Sequence, residues 1–298
     1  MSILPIPSAE ALRTVGSPPD PKKIKALALD LDGTILNPVS VLSERTIRAL
    51  KACRQRGIQI IIATGRAIEA TEPYIKTLGA EGPMIYFNGA VVADMPTGET
   101  ISSILLDKDA AALCVDLSRE MGVYFQVFFP PEFSPDGKKI ILMAEWEGPE
   151  LEMYLNHTGL RAELGDLKKA LGRPGLKGCI KGMFLAEPEV LASLRLKLVE
   201  HFGESVYIVQ ALRTFLEVMD ARVSKGQGLK LAMERLSLRR EEVLAFGDEE
   251  NDLSMFEAAG FSAVPSNAKD KIKAAADLVV GSNAEDGVAA FLEEFFGL

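Results

Sequence analysis

Residues 24–34 read Ile-Lys-Ala-Leu-Ala-Leu-Asp-Leu-Asp-Gly-Thr, and this stretch decides the fold. An apolar run of strand length stops at Asp30, and an Asp-Gly turn signal follows immediately. The pattern predicts a buried strand ending in a tight loop. Just beyond it, Ser43–Gly57 has an N-cap serine, helical spacing of Ile47, Leu50 and Cys53, and a terminal glycine. Ile58–Ala63 then reads as a second buried strand and Met84–Phe87 as a third. Strands alternating with helices at these lengths predict a parallel sheet covered on both faces, an α/β fold.

After Asn88-Gly89 the rhythm changes. Short strands flank a turn at Pro96-Thr97-Gly98, a helix is expected over 109–121, and strands over 123–129 and 140–145. A helix over 188–202 and strands at 205–210 and 214–219 follow. This α+β pattern suits antiparallel pairing. From Lys225 the α/β alternation resumes, with a strand at Val243–Phe246, a helix from Asn251 and a strand at Phe261–Val264. The expected organisation is one α/β domain, 24–88 plus 220–298, interrupted by an inserted α+β domain, 89–219. Residues 1–23 hold five prolines and read as an irregular arm, not a secretory signal.

The formal charge of −9 argues against nucleic acid as the main partner, since backbone binding needs concentrated Lys and Arg. It leaves a small phosphorylated ligand open, because a metal ion can reverse the local field. Cys53, Cys114 and Cys179 lack paired spacing, which suits reduced thiols in a cytoplasmic protein. His157 and His201, the only histidines, are expected in structural or surface roles. No apolar run is long enough to span a bilayer, so no membrane partner is expected.

Four segments carry chemistry. Asp30 and Asp32, beside the turn at Gly33, would repel unless a cation or proton separates them, and phosphate-ester hydrolysis uses both solutions. Thr64-Gly65-Arg66 places a hydroxyl and backbone N–H groups at a strand end, a small anion cradle. Ser224-Lys225-Gly226 puts a lysine at a helix start, where cations are normally disfavoured. Gly247-Asp248-Glu249-Glu250-Asn251-Asp252 follows a strand and suits oxygen ligation of Mg²⁺, with Asp248 preferred and Glu249 and Glu250 facing solvent. Each segment ends a core strand or opens the next helix, so all four are expected around one crevice. The aromatic residues Tyr124, Phe125, Phe128, Phe129 and Trp146 are expected in the core of the insertion. Its cations Arg161, Lys168, Lys169, Arg173, Lys177 and Lys181 are expected on solvated surface.

In this order, DLDGT, ATGR, SKG and GDEEND resemble the haloacid dehalogenase superfamily of phosphatases, in particular its Cof-like subfamily. The resemblance implies a Rossmann-like core with an inserted cap. It also implies a Mg²⁺-dependent phosphatase acting on a small phosphorylated metabolite. Asp30 would be the nucleophile that forms an aspartyl phosphate, and Asp32 the general acid/base that also gives its backbone carbonyl to Mg²⁺. Thr64 and Gly65 would hold the phosphoryl group with Arg66 nearby, and Lys225 would bridge that group and Asp30. Asp248 would bind Mg²⁺ with Asp252 in support, while Asn251 would face phosphate or leaving group. Asn88-Gly89 matches the usual exit into the cap, and Asn88 counts with the phosphate-binding residues. Where the family often has Met-Gly-Asn, this chain has Pro265-Ser266-Asn267. A phosphomutase on the same core and a non-catalytic phospholigand-binding protein are the alternatives.

Overall fold

The structure is a computed structural model, and it describes residues 19–134 and 139–298. The expected N-terminal arm lies outside the described residues apart from 19–23, where Pro21–Lys23 form one 3-10 turn capped by Asp20. The chain divides into two compact units. One runs up to Arg66 and includes Thr71–Ile101 and Ser224–Leu298; the other holds Ala67–Ala70 and Ser102–Val223.

The first unit opens with β1 (Ala26–Leu29), α1 (Glu44–Gln55), β2 (Gln59–Ile62), α2 (Ile68–Leu78) from Thr71 on, and β3 (Gly82–Tyr86). Helix α1 starts where the Ser43 hydroxyl accepts the N–H of Thr46, and it buries Thr46, Ala49, Leu50 and Cys53 along one face. Strand β3 meets the sequence expectation along one edge and departs from it along the other. It lies parallel beside the end of β2, with the bridge Ala63↔Ile85 and the Ile62 N–H 3.3 Å from Met84 Sδ, and on its other edge pairs antiparallel with β4 (Val91–Met95), from Gly82↔Met95 to Tyr86↔Val91. The chain reverses there because Phe87, Asn88 and Gly89 all take positive φ. With β5 (Glu99–Ser103) this makes a three-stranded sheet. The hairpin therefore groups with the first unit, whereas the sequence reading placed the break just after Asn88.

The second unit contains β6 (Leu106–Asp107), α3 (Lys108–Met121), β7 (Tyr124–Phe129), β8 (Ile141–Ala144), α4 (Pro149–Thr158), β9 (Ala162–Leu164), α5 (Leu167–Leu171), β10 (Gly178–Cys179), β11 (Lys181–Leu185), α6 (Pro188–Phe202), β12 (Val206–Leu212) and β13 (Phe215–Asp220). Six of these strands form a mixed sheet in the order β12-β13-β11-β7-β8-β9, antiparallel except for β8 and β9. Alternation along β7 sends Phe125, Val127 and Phe129 into an apolar core with Leu191, Leu194 and Leu198 of α6. Tyr124, Gln126 and Phe128 point to the opposite face and are also buried. Trp146 is half-exposed, edge-on to Tyr124. One expectation fails here: Lys181 is not on the surface. It sits in the central strand β11, 2 % exposed, with its ammonium 2.6 Å from the carboxylate of Glu217 on β13. Burial is affordable only because the two charges are paired. Arg161, Lys169, Arg173 and Lys177 are exposed and Lys168 is half-buried.

The first unit resumes with α7 (Lys225–Arg235), β14 (Val243–Phe246), α8 (Leu253–Ala258), β15 (Phe261–Pro265), α9 (Asp270–Lys273), β16 (Leu278–Val280) and α10 (Gly287–Phe296). Its main sheet is parallel throughout, in the order β16-β15-β14-β1-β2. The central strands are apolar without alternation because both faces are covered. Ala26, Ala28 and Ala245 pack with Leu229, Ala232 and Met255 of α7 and α8, while Phe246 meets Phe291 of α10 on the other face. Leu29 is level with Ile62 on one side and Phe246 on the other. The next residues, Asp30, Ala63 and Gly247, therefore leave the sheet side by side at its carboxyl edge, where open α/β sheets place their ligand sites.

Candidate active site

Parallel register alone brings Asp30 and Asp248 to one edge; close backbone approach completes the arrangement. Gly33 has φ +76°, and a β-carbon there would lie 2.1 Å from Asp248 Oδ2. Only glycine leaves room for that carboxylate to enter the loop. Thr34 Oγ1 donates to Asp248 Oδ1 at 2.9 Å, fixing its direction. Gly89 plays the same part on the far side, with φ +100° and a β-carbon position 2.1 Å from the Ser224 carbonyl. This lets α7 begin against the turn after β3, with Lys225 at its first position.

Lys225 is fully buried and its ammonium spans two carboxylates, 2.6 Å from Asp30 Oδ1 and 2.7 Å from Asp252 Oδ1. The other oxygen of Asp252 accepts the N–H groups of Asp248 and Glu249, at 2.9 and 3.0 Å. Carboxylate oxygens of Asp30, Asp248 and Asp252 lie within 4.8 Å of one another. Burial raises the Asp30 pKa well above the usual carboxylate value; Lys225 opposes the rise, and Asp252, Asp248 and Asp32 add to it. Asp248 is pushed up to about 7 by burial and the neighbouring Asp252, against the Thr34 hydrogen bond and Lys225. For Lys225 burial works against the charge, but Asp252 and Asp30 hold its pKa above the ordinary lysine value. One ammonium thus serves three crowded acids, and the shortfall of positive charge is what a hard divalent cation would supply to an all-oxygen donor set.

The remaining residues of the site sit around this cluster. Thr64 is buried, and its hydroxyl accepts the N–H of Arg66 at 3.1 Å across Gly65. Asn88 is buried with φ +57°; its N–H reaches the Thr64 carbonyl, and its Oδ1 accepts from Asn251 Nδ2 at 2.8 Å. Asp32 stands outside the three-acid group: its half-exposed carboxylate is gripped at both oxygens by Arg66, at 2.7 and 2.5 Å. Glu249 and Glu250 are exposed and pair with Lys269 and Lys271. His201 is exposed, with Nδ1 2.8 Å from the Lys197 carbonyl.

Three residues take roles at the site that the sequence does not assign. Thr34 belongs to the DLDGT string, and nothing local marks the partner of its hydroxyl, Asp248, 214 residues further on. Asn267 donates to the Gly33 carbonyl at 2.9 Å and accepts from Asn283 N, so the loop after β15 holds the Asp-Gly turn. Tyr74 braces Arg66 from α2, and no motif marks it.

With this geometry in place, comparison with known proteins is decisive. Residues 27–292 match the haloacid dehalogenase-like hydrolase family. A 5-amino-6-(5-phospho-D-ribitylamino)uracil phosphatase of Bacillus subtilis is 28% identical, covering 91% of this chain and 97% of its own. A pyridoxal phosphate phosphatase of Escherichia coli is also 28% identical, covering 90% and 97%. The crystal structure of a haloacid dehalogenase-like hydrolase from Bacteroides thetaiotaomicron superposes with a TM-score of 0.81 at 23% identity, covering 92% of this chain and all of the other, which speaks to the fold. The chain belongs to the haloacid dehalogenase-like hydrolases, as the order of its motifs implied, and it is a phosphatase of that family. Among the described residues, no helix is long and apolar enough to cross a membrane.

Proposed function

We propose that this phosphatase hydrolyses small phosphorylated metabolites with Mg²⁺, through an aspartyl phosphate on Asp30. The observation that carries the reading is the cluster of Asp30, Asp248 and Asp252 around Lys225 at the carboxyl edge of the parallel sheet. Both relatives described above take, by their names, a phosphate monoester of a small molecule.

Asp30, Asp248 and Asp252 would hold Mg²⁺, with the backbone carbonyl of Asp32. When bound, the ion screens the negative charge of phosphate and carboxylates so that they can approach. The Asp30 carboxylate attacks phosphorus; its bond to phosphorus forms as the bond to the leaving oxygen breaks. The Asp32 carboxyl gives its proton to that oxygen, and the alcohol departs. Water then attacks the aspartyl phosphate, Asp32 takes the water's proton, and inorganic phosphate leaves with Asp30 restored. Thr64, the Gly65 N–H and Lys225 would hold the phosphoryl oxygens in line, and Asn251, tied to Asn88, would face the phosphate or the departing group.

The test is phosphate release from a panel of phosphorylated metabolites by wild type and Asp30→Asn, with and without Mg²⁺. Release should need both the carboxylate and the metal. Turnover that persists in the variant and in chelator would overturn the reading.

A further inference from the structure

The family resemblance implies that Arg66 lies near the phosphate. The structure gives its guanidinium other work. Nε donates to Asp32 Oδ2 at 2.7 Å and Nη2 to Asp32 Oδ1 at 2.5 Å, a two-point fork. The third nitrogen, Nη1, donates to the Tyr74 hydroxyl at 3.3 Å, and the guanidinium carbon lies 5.3 Å from the centre of the Tyr74 ring. Tyr74 is itself anchored, its hydroxyl donating to the Ser40 carbonyl at 2.9 Å. That carbonyl belongs to a compact loop in which Asn37 Oδ1 accepts the N–H groups of Val39 and Val41. The backbone of Arg66 is pinned as well: its N–H meets Thr64 Oγ1, and its carbonyl accepts from Phe87.

All three guanidinium nitrogens thus have protein partners, and the side chain is 19% exposed where Asp32 is 52% exposed. The less mobile partner sets the position of the more mobile one. An aspartate at the solvent edge would otherwise sample several rotamers, and a planar fork matches both oxygens of a carboxylate at once.

We infer that Arg66, braced by Tyr74, is a positioning residue that aims the Asp32 carboxyl at the leaving oxygen, and is not a ligand of the transferring phosphate. The inference rests on the reading of Asp32 as the proton donor. In donating, Asp32 keeps one oxygen on the fork and offers the other as O–H; once the proton has gone to the leaving oxygen, the carboxylate returns to the two-point grip seen here.

A leaving-group comparison tests it. An alkyl phosphate needs a proton on its departing oxygen, whereas p-nitrophenyl phosphate expels a stable phenolate without one. The ratio of kcat/KM for the alkyl ester to kcat/KM for the nitrophenyl ester therefore reads Asp32 positioning, and a general loss of fold cancels out of it. Tyr74→Phe should lower the ratio roughly threefold to tenfold, with the nitrophenyl value within about twofold of wild type, and Arg66→Ala should lower the ratio by about 10²-fold, as expected for a misaimed proton donor. Guanidinium added to Arg66→Ala should recover part of the ratio. Equal losses on both esters, or a raised KM on both, would make Arg66 a phosphate ligand and overturn the inference. A wild type active on both esters with ratios unchanged in the variants would defeat the inference alone. A wild type inactive on every ester would defeat the proposed function too.

Discussion

The ammonium of Lys225 lies 2.6 Å from Asp30 Oδ1, with both side chains almost sealed from solvent. Removing either partner should have opposite consequences for stability, although both changes are expected to abolish activity under the proposed function. Lys225→Met leaves Asp30 and Asp252 buried without a counter-charge, which costs about 3–5 kcal/mol. Asp30→Asn keeps an oxygen for Lys225 and removes one of the crowded acids, so metal-free stability should hold or rise. Denaturant unfolding in chelator, alongside phosphate release, checks this. If Asp30→Asn unfolds as early as Lys225→Met, the charge-crowding account of the site is wrong.

Gly33→Ala should be more damaging than a loop substitution normally is. The φ of +76° strains any side chain, by roughly 1–3 kcal/mol. The added carbon would also collide with the Asp248 carboxylate and push it from its place beside Thr34. A displacement near 1 Å at a reacting centre costs on the order of 10²-fold in rate. Expected, then, are a lower melting temperature and a fall in kcat with weaker Mg²⁺ dependence. Unchanged metal titration in a folded Gly33→Ala would contradict the placement of Asp248.

The acids also fix a pH dependence. Asp248 titrates near 7 in the folded protein, well above its ordinary value of 3.8, and Asp30 is shifted in the same direction. Between those values the folded state holds more protons than the unfolded chain, so raising the pH lowers stability. The contribution is fully present below the unfolded value and gone above about 7. A divalent cation competes with those protons and relieves the repulsion that replaces them. Mg²⁺ should therefore raise the melting temperature more at pH ~8 than at pH ~5. Calorimetry at both pH values decides it; a larger effect at the acid end would remove the acid cluster as the metal site.

Asp30, Lys225 and Asp248 were legible in sequence because their positions follow from strand ends and helix starts, and a parallel sheet collects strand ends at one edge. Local pattern encodes that much. It does not encode pairings between elements distant in the chain. The reversal of β3 into a hairpin depends on positive φ at Phe87 and Asn88, where neither residue type demands it. The grip of Arg66 on Asp32 joins residues in separate loops with no shared motif. Within 146–187, β9, α5 and β10 are too short to show a period, and β11 begins with a charge.

That charge, Lys181, allows a sharp test of why it is there. Its ammonium is 2.6 Å from Glu217 and 5.0 Å from the centre of the Phe128 ring, in a sheet face that also buries Met183, Phe215 and Met219. The pair joins β11 to β13, where Met183 stands opposite Glu217. Losing one member leaves the other charge buried without its nearest counter-charge, at about 3–5 kcal/mol, whereas replacing both by neutral side chains of similar size is often nearly neutral or stabilising. Lys181→Met and Glu217→Gln should each unfold at markedly lower denaturant concentration, and the double variant should recover most of the loss. A double variant as unstable as the sum of the singles would show that these residues act separately. Full recovery of stability with the strands still paired, seen as unchanged amide exchange across β11 and β13, would show that the buried charges are a replaceable solution to packing this face.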